Sequence, residues 1–394
     1  MNLDEYRRAA RAWLRDYARP GESAPENAIS HAKDFMARLY DAGYSGITWP
    51  ARWGGQGLTQ AEERAFAAEA RHFSLPTYVF SIGLGMTGPT LVDRGTDEQR
   101  ERFVRPLLRG EEIWCQLFSE PGAGSDVAAL QTRAVRDGDR WIVNGQKVWT
   151  SVAQHADWGL LLTRTNPDAP KHRGLTMFVV GMRDPGVTVR PLKDMTGRAH
   201  FNEVFFDDVA VPDAHRVGEV DDGWSVAVTT LLHERLSISA GVGMGRAKDD
   251  PTSLEALRRT ADTSDPLVRD DLVELHIRTR ALALFNQRLA QEAEAGLFPG
   301  ARGSAAKLLL AELTLFEADL ATRLAGPSAV VGTGDGEGAG PLAHAISLAP
   351  AMSLGGGTNE IMRNIIGERV LGLPPGPRVD KTVPFKDLKV GTQG

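Results

Sequence analysis

Two short stretches of the sequence combine residue types that can hold a planar, polar ligand. The first, WCQLFSEPGAGSD at 114–126, has two glycines that permit close approach of the backbone, and Ser119, Ser125 and Asp126 supply short polar groups. The second is the Trp-Thr-Ser triplet at 149–151, where a tryptophan at the end of a strand-like run offers an aromatic face beside two hydroxyl groups. Either stretch alone is better explained as a polar turn or a core tryptophan, so the prediction of a site rests on the two together.

A third stretch, GLGMTG at 83–88, matches the G-x-G-x-x-G pattern of dinucleotide-binding loops. That pattern binds a pyrophosphate only where a strand precedes it and a helix N-terminus follows it. Here Pro89 follows at once, and no second strand of a βαβ unit occurs at the expected distance. We therefore predict that this stretch does not bind a dinucleotide.

The composition is typical of a globular protein, with 42% hydrophobic and 24% charged residues among 394. A net charge of -6 gives no electrostatic reason to expect nucleic acid or an anionic membrane as a partner. The first 20 residues have one apolar helical face and no cleavage site, which predicts a docking helix rather than a targeting signal. The single cysteine, Cys115, excludes intrachain disulfides and cysteine-based zinc sites. We predict no metal site, no membrane insertion and a cytoplasmic location.

Hydrophobic periodicity divides the chain into three predicted domains, residues 1–113, 114–221 and 222–394. The first has helical spacing, the second consists of short strand-like runs, and the third returns to long helical runs followed by a tail. Within the second, Asp137-Gly138 and Asn144-Gly145 are typical of hairpin turns. The predicted helices are 27–43, 59–72, 97–109, 224–245, 266–296, 304–326 and the run after Thr358, and the predicted strands include WGLLLTR, LTMFVV, VTVRPL and NEVFFDDV. The predicted class is α+β, with a helical domain, a β domain and a four-helix bundle in that order.

In this order and on this architecture, the motifs closely resemble those of the acyl-CoA dehydrogenase family. SEPGAGSD, at 119–126, matches the family's flavin and CoA loop, and NGQKVWTS, at 144–151, matches its second flavin segment. The resemblance covers nearly the whole chain and implies that the β domain is a barrel. It also implies FAD as the cofactor, oxidation of an acyl-CoA thioester to its trans-2-enoyl form, and an electron-transferring flavoprotein as the acceptor.

The resemblance also implies roles for individual residues. Ser119 would lie near the pyrimidine edge of the flavin, Ser125 would reach toward the phosphates of the flavin or of CoA, and Ser151 would lie near flavin N5. The complete set of cofactor contacts implied in this way is Gln116, Phe118, Ser119, Gly124, Ser125, Trp149, Thr150, Ser151, Thr358 and Glu360.

The reaction requires a base that removes the proton alpha to the thioester carbonyl, and a carboxylate in a water-poor pocket suits this role because desolvation raises its pKa. Many family members carry this Glu in a Tyr-Glu-Gly-Thr motif, but the matching residues here are Gly355, Gly356, Gly357 and Thr358. Glu360 lies in the first turn of the following predicted helix, where the helix dipole favours its ionised form. We therefore assign Glu360 to a structural or cofactor-side role.

Another branch of the family places the base in a Leu-x-x-Glu-Arg context on the first long helix of the bundle, and LLHERL puts Glu234 at that position. Glu234 interrupts a run in which Leu231, Leu232, Leu236 and Ile238 are apolar. The residues three and four positions further on, Ser237 and Ile238, carry no charge. A carboxylate in a tertiary salt bridge is the alternative interpretation. We predict that Glu234 is the base, and that the substrate contacts are Ser125, Arg235, Gly355 and Gly356.

Two motifs through which most homotetrameric members reach a neighbour's FAD are missing. The chain has no Phe-Gly pair and no Gln between 292 and 392, where the family carries Arg-x-x-Phe-Gly and Gln-x-x-Gly-Gly. This pattern resembles the unequal subunits of actinobacterial α2β2 acyl-CoA dehydrogenases, which act on CoA thioesters of steroid side chains. It predicts the base-bearing subunit of such a heterotetramer, with a second acyl-CoA dehydrogenase-like subunit as partner and a bulky steroid acyl-CoA as substrate. The alternatives are a homotetrameric dehydrogenase of branched or fatty acyl-CoA, a non-catalytic subunit that completes a partner's site, and a flavin monooxygenase on the same fold.

Overall fold

The computed structural model describes residues 2–18, 28–239, 250–295, 297, 300–329, 340–377 and 380–388. The chain divides into two compact units. One comprises Met1–Leu192, His200–His233 and Arg378–Gly394, and the other comprises Lys193–Ala199 and Glu234–Pro377. Among the described residues, no helix is both long and apolar enough to cross a membrane.

The first unit begins with helices whose starts are set by side-chain caps. The N-cap residues Asn2, Thr59 and Thr96 each form a reciprocal capping box with the Glu or Gln three residues on, which satisfies backbone N–H groups that have no partner within the helix. The helices are α1 (Leu3–Tyr17), α2 (Ala28–Asp41), α3 (Gln60–Ala70), α4 (Gly88–Arg94) and α5 (Asp97–Arg109). Of these, α2, α3 and α5 confirm the helices predicted at 27–43, 59–72 and 97–109.

The GLGMTG stretch is helical rather than a strand followed by a loop. Residues Gly83–Thr87 form one π-helical turn that leads directly into α4, and the preceding Tyr78–Phe80 form a 3₁₀ turn. No strand therefore precedes the pattern, which agrees with the prediction that it does not bind a dinucleotide.

The same unit contains an eight-stranded sheet. The strands are β1 (Trp114–Leu117), β2 (Arg133–Asp137), β3 (Arg140–Ser151), β4 (Trp158–Arg164), β5 (Leu175–Gly181), β6 (Val187–Leu192), β7 (Phe201–Pro212) and β8 (Arg216–Val217). Their hydrogen-bonded order is β6-β7-β3-β2-β4-β5-β8, and β1 pairs in parallel with β4. Every residue of β5 is buried, and the N-terminal helices and the sheet share one hydrophobic core. The predicted strand runs and the hairpin after Asp137 are confirmed.

The predicted hairpin at Asn144-Gly145 is wrong. Strand β3 continues through both residues, and its pairing with β7 shifts register between Val143 and Gly145. Gly145 has a φ of +151°, and a Cβ at this position would lie 2.5 Å from the hydroxyl of Thr132. The pair marks a bulge, because a glycine is needed where Thr132 approaches the strand.

Helices form most of the second unit. The helices are α6 (Gly223–Ser239), whose first residues belong to the first unit and whose last residues belong to the second, α7 (Leu254–Thr260), α8 (Pro266–Glu294), α9 (Gly303–Ala325), α10 (Pro341–Leu348) and α11 (Asn359–Arg369). α9 packs against α8 and α11, and Leu275, Leu313 and Leu320 lie in the core of this unit. The four long helices predicted in the third domain are confirmed, although residues 240–245 of the first of them lie outside the described residues, as does most of the glycine-rich loop before Pro341. The α+β class and the order helices, sheet, helices are as predicted.

Candidate active site

The structure brings together the two stretches singled out as ligand-binding. The loop that follows β1 runs beside β3, where the carbonyl of Ser119 accepts a hydrogen bond from the Val148 N–H at 2.9 Å. The carbonyl of Phe118 accepts another from the buried ammonium of Lys147 at 3.0 Å. Residues 116–126 and 149–151 therefore form one continuous region of the first unit.

A buried ion pair lies beneath this region, and sequence reasoning missed it. The Lys147 ammonium, which is 0% exposed, donates to a Glu120 carboxylate oxygen at 2.8 Å. Glu120 also accepts hydrogen bonds from the backbone N–H groups of Gln131 at 2.7 Å and Thr132 at 2.9 Å. The available signal was a lysine within an otherwise strand-like run, NGQKVW, facing a glutamate in the preceding motif.

Burial and pairing act in opposite directions on these two groups. Burial lowers the pKa of Lys147, and the attraction of Glu120 opposes that shift. Burial also tends to raise the pKa of Glu120, but the charge of Lys147 and the hydrogen bonds from Lys147 and Thr132 hold that pKa below its ordinary value. We conclude that Glu120 is ionised at neutral pH and that the pair holds the loop to the strand.

Trp149 is displayed outward by a backbone irregularity. Its φ is +59°, a left-handed conformation uncommon for a bulky residue, and it lies where the β3–β7 register shifts between Lys147 and Thr150. Trp149 is 56% exposed, and its ring lies nearly perpendicular to that of Phe201, with ring centroids 5.7 Å apart. Backbone strain of this kind clusters at ligand sites, and here the strained residue keeps much of its aromatic side chain accessible.

The hydroxyl of Thr150 and the tip of the loop fit an external ligand. Thr150 is 1% exposed, and its Oγ1 has no hydrogen-bond partner among the described residues, so a bound ligand would satisfy it. Gly124, Ser125 and Asp126 are exposed at the loop tip. A Cβ added at Gly122 or Gly124 would meet nothing within 4 Å, so these glycines are not required by packing within the chain. The open space suits the close approach of a ligand to the backbone.

In the second unit, Glu234 lies on α6 beside two cationic side chains. Its charge acts on Arg235 and on Lys307, a residue of α9 that is 1% exposed. The Lys307 ammonium donates a hydrogen bond to the carbonyl of Gly357 at 2.5 Å. Sequence reasoning missed Lys307, whose only signal was a charge within the apolar run AAKLLLA.

Burial shifts the pKa of both cations downward. Burial lowers the pKa of Lys307, opposed by the charges of Glu234 and Glu360. Burial also lowers the pKa of Arg235, with Glu234 opposing and Arg369 reinforcing the shift. The environment of Glu234 is therefore half-buried and positively charged.

In the glycine turn before α11, the backbone conformation favours glycine at two of the three positions. Gly356 and Gly357 have φ values of +69° and +94°, and a Cβ at Gly357 would lie 2.5 Å from the terminal methyl of Met362. A Cβ at Gly355 would lie 3.5 Å from the carbonyl oxygen of Ala351, an ordinary contact. The space next to Gly357 is therefore filled by Met362, while Gly355 is exposed and open.

Thr358 and Glu360 occupy the first turn of α11. The Thr358 hydroxyl accepts a hydrogen bond from the Ile361 N–H at 3.2 Å, which makes it the N-cap of the helix. Hydrogen bonds from its own backbone N–H and from Thr358 lower the pKa of the exposed Glu360. A lowered pKa makes Glu360 a weaker base, in agreement with the sequence argument. Contact of either residue with a cofactor stays a prediction.

Comparison with known proteins identifies the family along most of the chain. Residues 2–111, 115–209 and 221–371 match the N-terminal, middle and C-terminal domains of acyl-CoA dehydrogenases. The chain is 38% identical over 384 residues to the acyl-CoA dehydrogenase IpdE1 of Mycobacterium tuberculosis, covering 95% of this chain and 98% of that protein. It is 41% identical over 337 residues to the acyl-CoA dehydrogenase FadE34 of the same organism, covering 85% of this chain but only 45% of FadE34.

Solved structures give the same result. The steroid ACAD Tcur3481-Tcur3483 superposes with a TM-score of 0.79 at 30% identity, covering 95% of this chain and 98% of that chain. The ChsE4-ChsE5 complex from Mycobacterium tuberculosis superposes with a TM-score of 0.76 at 31% identity, with the same coverage of 95% and 98%. On these matches, the chain belongs to the acyl-CoA dehydrogenase family.

Proposed function

We propose that this acyl-CoA dehydrogenase oxidises a bulky, steroid side-chain acyl-CoA to its trans-2-enoyl thioester, with FAD as cofactor and Glu234 as the base. One observation carries the assignment of the base. The position at which many family members carry the catalytic Glu is Gly356, held at a positive φ within a glycine turn, while Glu234 is a half-buried carboxylate beside the buried Lys307 cation.

The first unit supplies groups that suit FAD. The exposed face of Trp149 offers a surface for the isoalloxazine ring, and the unsatisfied hydroxyl of Thr150 offers a hydrogen bond. The open loop tip at Gly124 and Ser125 suits phosphate or ring oxygens. When bound, FAD would supply the acceptor for the hydride that leaves the beta carbon. Gln116, Phe118, Ser119 and Ser151 complete the proposed set of flavin contacts.

Glu234 would remove the proton alpha to the thioester carbonyl. The neighbouring positive charges of Lys307 and Arg235 favour the carboxylate form and so lower the basicity of Glu234, whereas its partial burial acts in the opposite direction. Lys307 also holds the glycine turn through the Gly357 carbonyl, so it connects the proposed base to the segment in which the family's usual base would lie. Arg235, Gly356 and the open position at Gly355 are the proposed contacts of the acyl-CoA in this unit.

Two findings support a bulky substrate and a partner subunit. The solved relative Tcur3481-Tcur3483 is a steroid ACAD. Its name, like that of the ChsE4-ChsE5 complex, joins two different chains. Gly355 is exposed and leaves room that a tyrosine would fill in many family members. We propose that the chain is the base-bearing subunit of a heterotetramer with a second acyl-CoA dehydrogenase-like chain, and that an electron-transferring flavoprotein reoxidises it.

The decisive experiment replaces Glu234 by Gln, which keeps the shape of the side chain and removes its basicity. We expect the rate of flavin reduction by acyl-CoA to fall by about 10²–10⁴-fold, the usual contribution of a positioned base. The visible spectrum of bound FAD should be unchanged. The matched control is Glu255→Gln on the exposed face of α7, which should keep the wild-type rate. A Glu234→Gln protein that reduces its flavin at the wild-type rate would refute the assignment.

A further inference from the structure

The C-terminal segment 380–388 is fastened to the loop between β4 and β5. The backbone N–H of Phe385 donates to the carbonyl of Ala169 at 2.9 Å, and that of Lys386 donates to the carbonyl of Pro167 at 3.0 Å. Pro170 and Pro384 form an isolated β-bridge at the same place. The segment is therefore docked by regular backbone pairing, and both partners belong to the first unit.

Arg164 connects this docked segment to the chain that follows the flavin loop. Its guanidinium lies 3.7 Å from the centroid of the Phe385 ring, a cation–π arrangement. The same guanidinium donates to the carbonyl of Lys171 at 2.7 Å and to that of Ala128 at 2.6 Å. Burial lowers the pKa of Arg164 to about 10, so the side chain is still a cation at neutral pH. One buried cation thus contacts the tail, the β4–β5 loop and residue 128.

Lys171 makes the second connection, and this one reaches the loop itself. Its ammonium, largely buried, is paired with the Asp126 carboxylate at 2.7 Å and also with the carboxylate of Asp380 from the tail. Asp126 is the last residue of SEPGAGSD, and its carbonyl accepts a hydrogen bond from the Ala129 N–H at 2.9 Å. The tail therefore supplies one of two carboxylates that hold a buried ammonium against the end of the flavin and CoA loop.

We infer that the tail segment 380–388 braces the 119–126 loop through Lys171 and Arg164, and that this brace positions the loop for binding of the CoA thioester. Lys171 is a positioning residue, because it contacts the loop rather than the reacting atoms. A loop that is already ordered loses less conformational entropy when it binds its ligand. Removing the brace should therefore weaken the binding of CoA and loosen the loop, while the fold of the sheet persists. The role in CoA binding rests on the proposed function, whereas the ordering of the loop does not.

The first test measures the loop directly, by hydrogen exchange of backbone amides in the full chain. Lys171→Met and Phe385→Ala should accelerate exchange within 119–131, most clearly at Ala123 and Ala129, by about tenfold, the order of one partly buried ion pair or cation–π contact. Exchange in β4 and β5 should stay at the wild-type level, which verifies that the fold is intact. The matched control is Lys386→Met, which removes an exposed ion pair with Asp168 from the same tail and should change nothing. Unchanged exchange within 119–131 in both brace variants would overturn the inference.

The second test measures the affinity for coenzyme A by isothermal titration, in the FAD-loaded protein with its partner subunit. Asp380→Asn and Lys171→Met should raise the dissociation constant by about threefold to tenfold, again the order of one partly buried ion pair. The Lys386→Met control should bind as the wild type does. If the wild-type protein does not bind coenzyme A, the proposed substrate class fails while the exchange experiment still decides whether the brace exists. Looser exchange with unaltered coenzyme A affinity would overturn the positioning role.

Discussion

Glu120 and Lys147 form a buried ion pair, and removing either charge would leave the other buried without a partner. Glu120→Gln should lower the free energy of unfolding by about 3 kcal/mol, the usual cost of breaking a buried ion pair. The control Asp137→Asn removes an exposed pair with Arg140 and should change stability by less than about 1 kcal/mol. Urea unfolding at neutral pH measures both.

The lowered pKa of Glu120 adds a pH dependence to this prediction. Because the folded protein holds that pKa below its ordinary value of 4.5, the stabilisation is present above that pH and is lost as the pH falls through the folded-state pKa. The difference in stability between wild type and Glu120→Gln should therefore shrink on acidification below pH 4.5. A difference that stays constant or grows would show that the carboxylate charge is not what stabilises the loop.

Site residues that belong to contiguous motifs can be predicted from the sequence, whereas residues whose partners are distant in the sequence cannot. Ser119 and Trp149 are predicted as site residues because SEPGAGSD and NGQKVWTS are unbroken strings. Lys307 is missed because its partner, the Gly357 carbonyl, is 50 positions away and is presented only by the folded turn. Lys171 is missed for the same reason, since Asp126 lies 45 positions before it. Tertiary pairing of charges is not encoded in local spacing.

At the scale of elements, the turn before α11 separates glycines required by the backbone from one that is not. Gly356→Glu, which restores the family's usual residue, places a side chain at a φ of +69° and should destabilise the protein by about 1–2 kcal/mol. The control Gly355→Ala should change stability by less than about 0.5 kcal/mol, because its Cβ makes an ordinary contact. Thermal unfolding measures both, and equal stability of the two variants would contradict this account of the turn.

The helices and strands are predicted well because period and capping are local properties. α5 begins after the capping Thr96, and β5 follows from a short run of apolar and β-branched residues. The bulge at Gly145 is mistaken for a hairpin because Asn-Gly before a strand-like run has the same local signature in both cases. Only the approach of Thr132, 13 positions earlier, distinguishes them, and that contact exists only in the sheet.

Helix α8 has an exposed apolar face that could form the interface with the proposed partner subunit. Val273, Ile277 and Leu284 are spaced four and seven residues apart, which places them on one side of the helix, and all three are exposed in the single chain. An apolar stripe of this kind on a long helix is typical of an interface with another subunit. We therefore expect α8 to contact the second acyl-CoA dehydrogenase-like chain.

Val273→Asp with Ile277→Asp should prevent assembly with a co-expressed second subunit, because two charges would be buried without partners. Native mass spectrometry should show the wild-type pair as a heterotetramer and the variant as separate chains of the ordinary 42.7 kDa subunit or its small oligomers. The control Val135→Asp alters an equally exposed valine on β2 and should assemble normally.

If the wild-type chain, expressed alone, has full FAD occupancy and oxidises acyl-CoA as a homo-oligomer, no second subunit is needed. The family's homotetrameric arrangement would then be the better description. If the α8 variant also forms that homo-oligomer, α8 is not part of its interface.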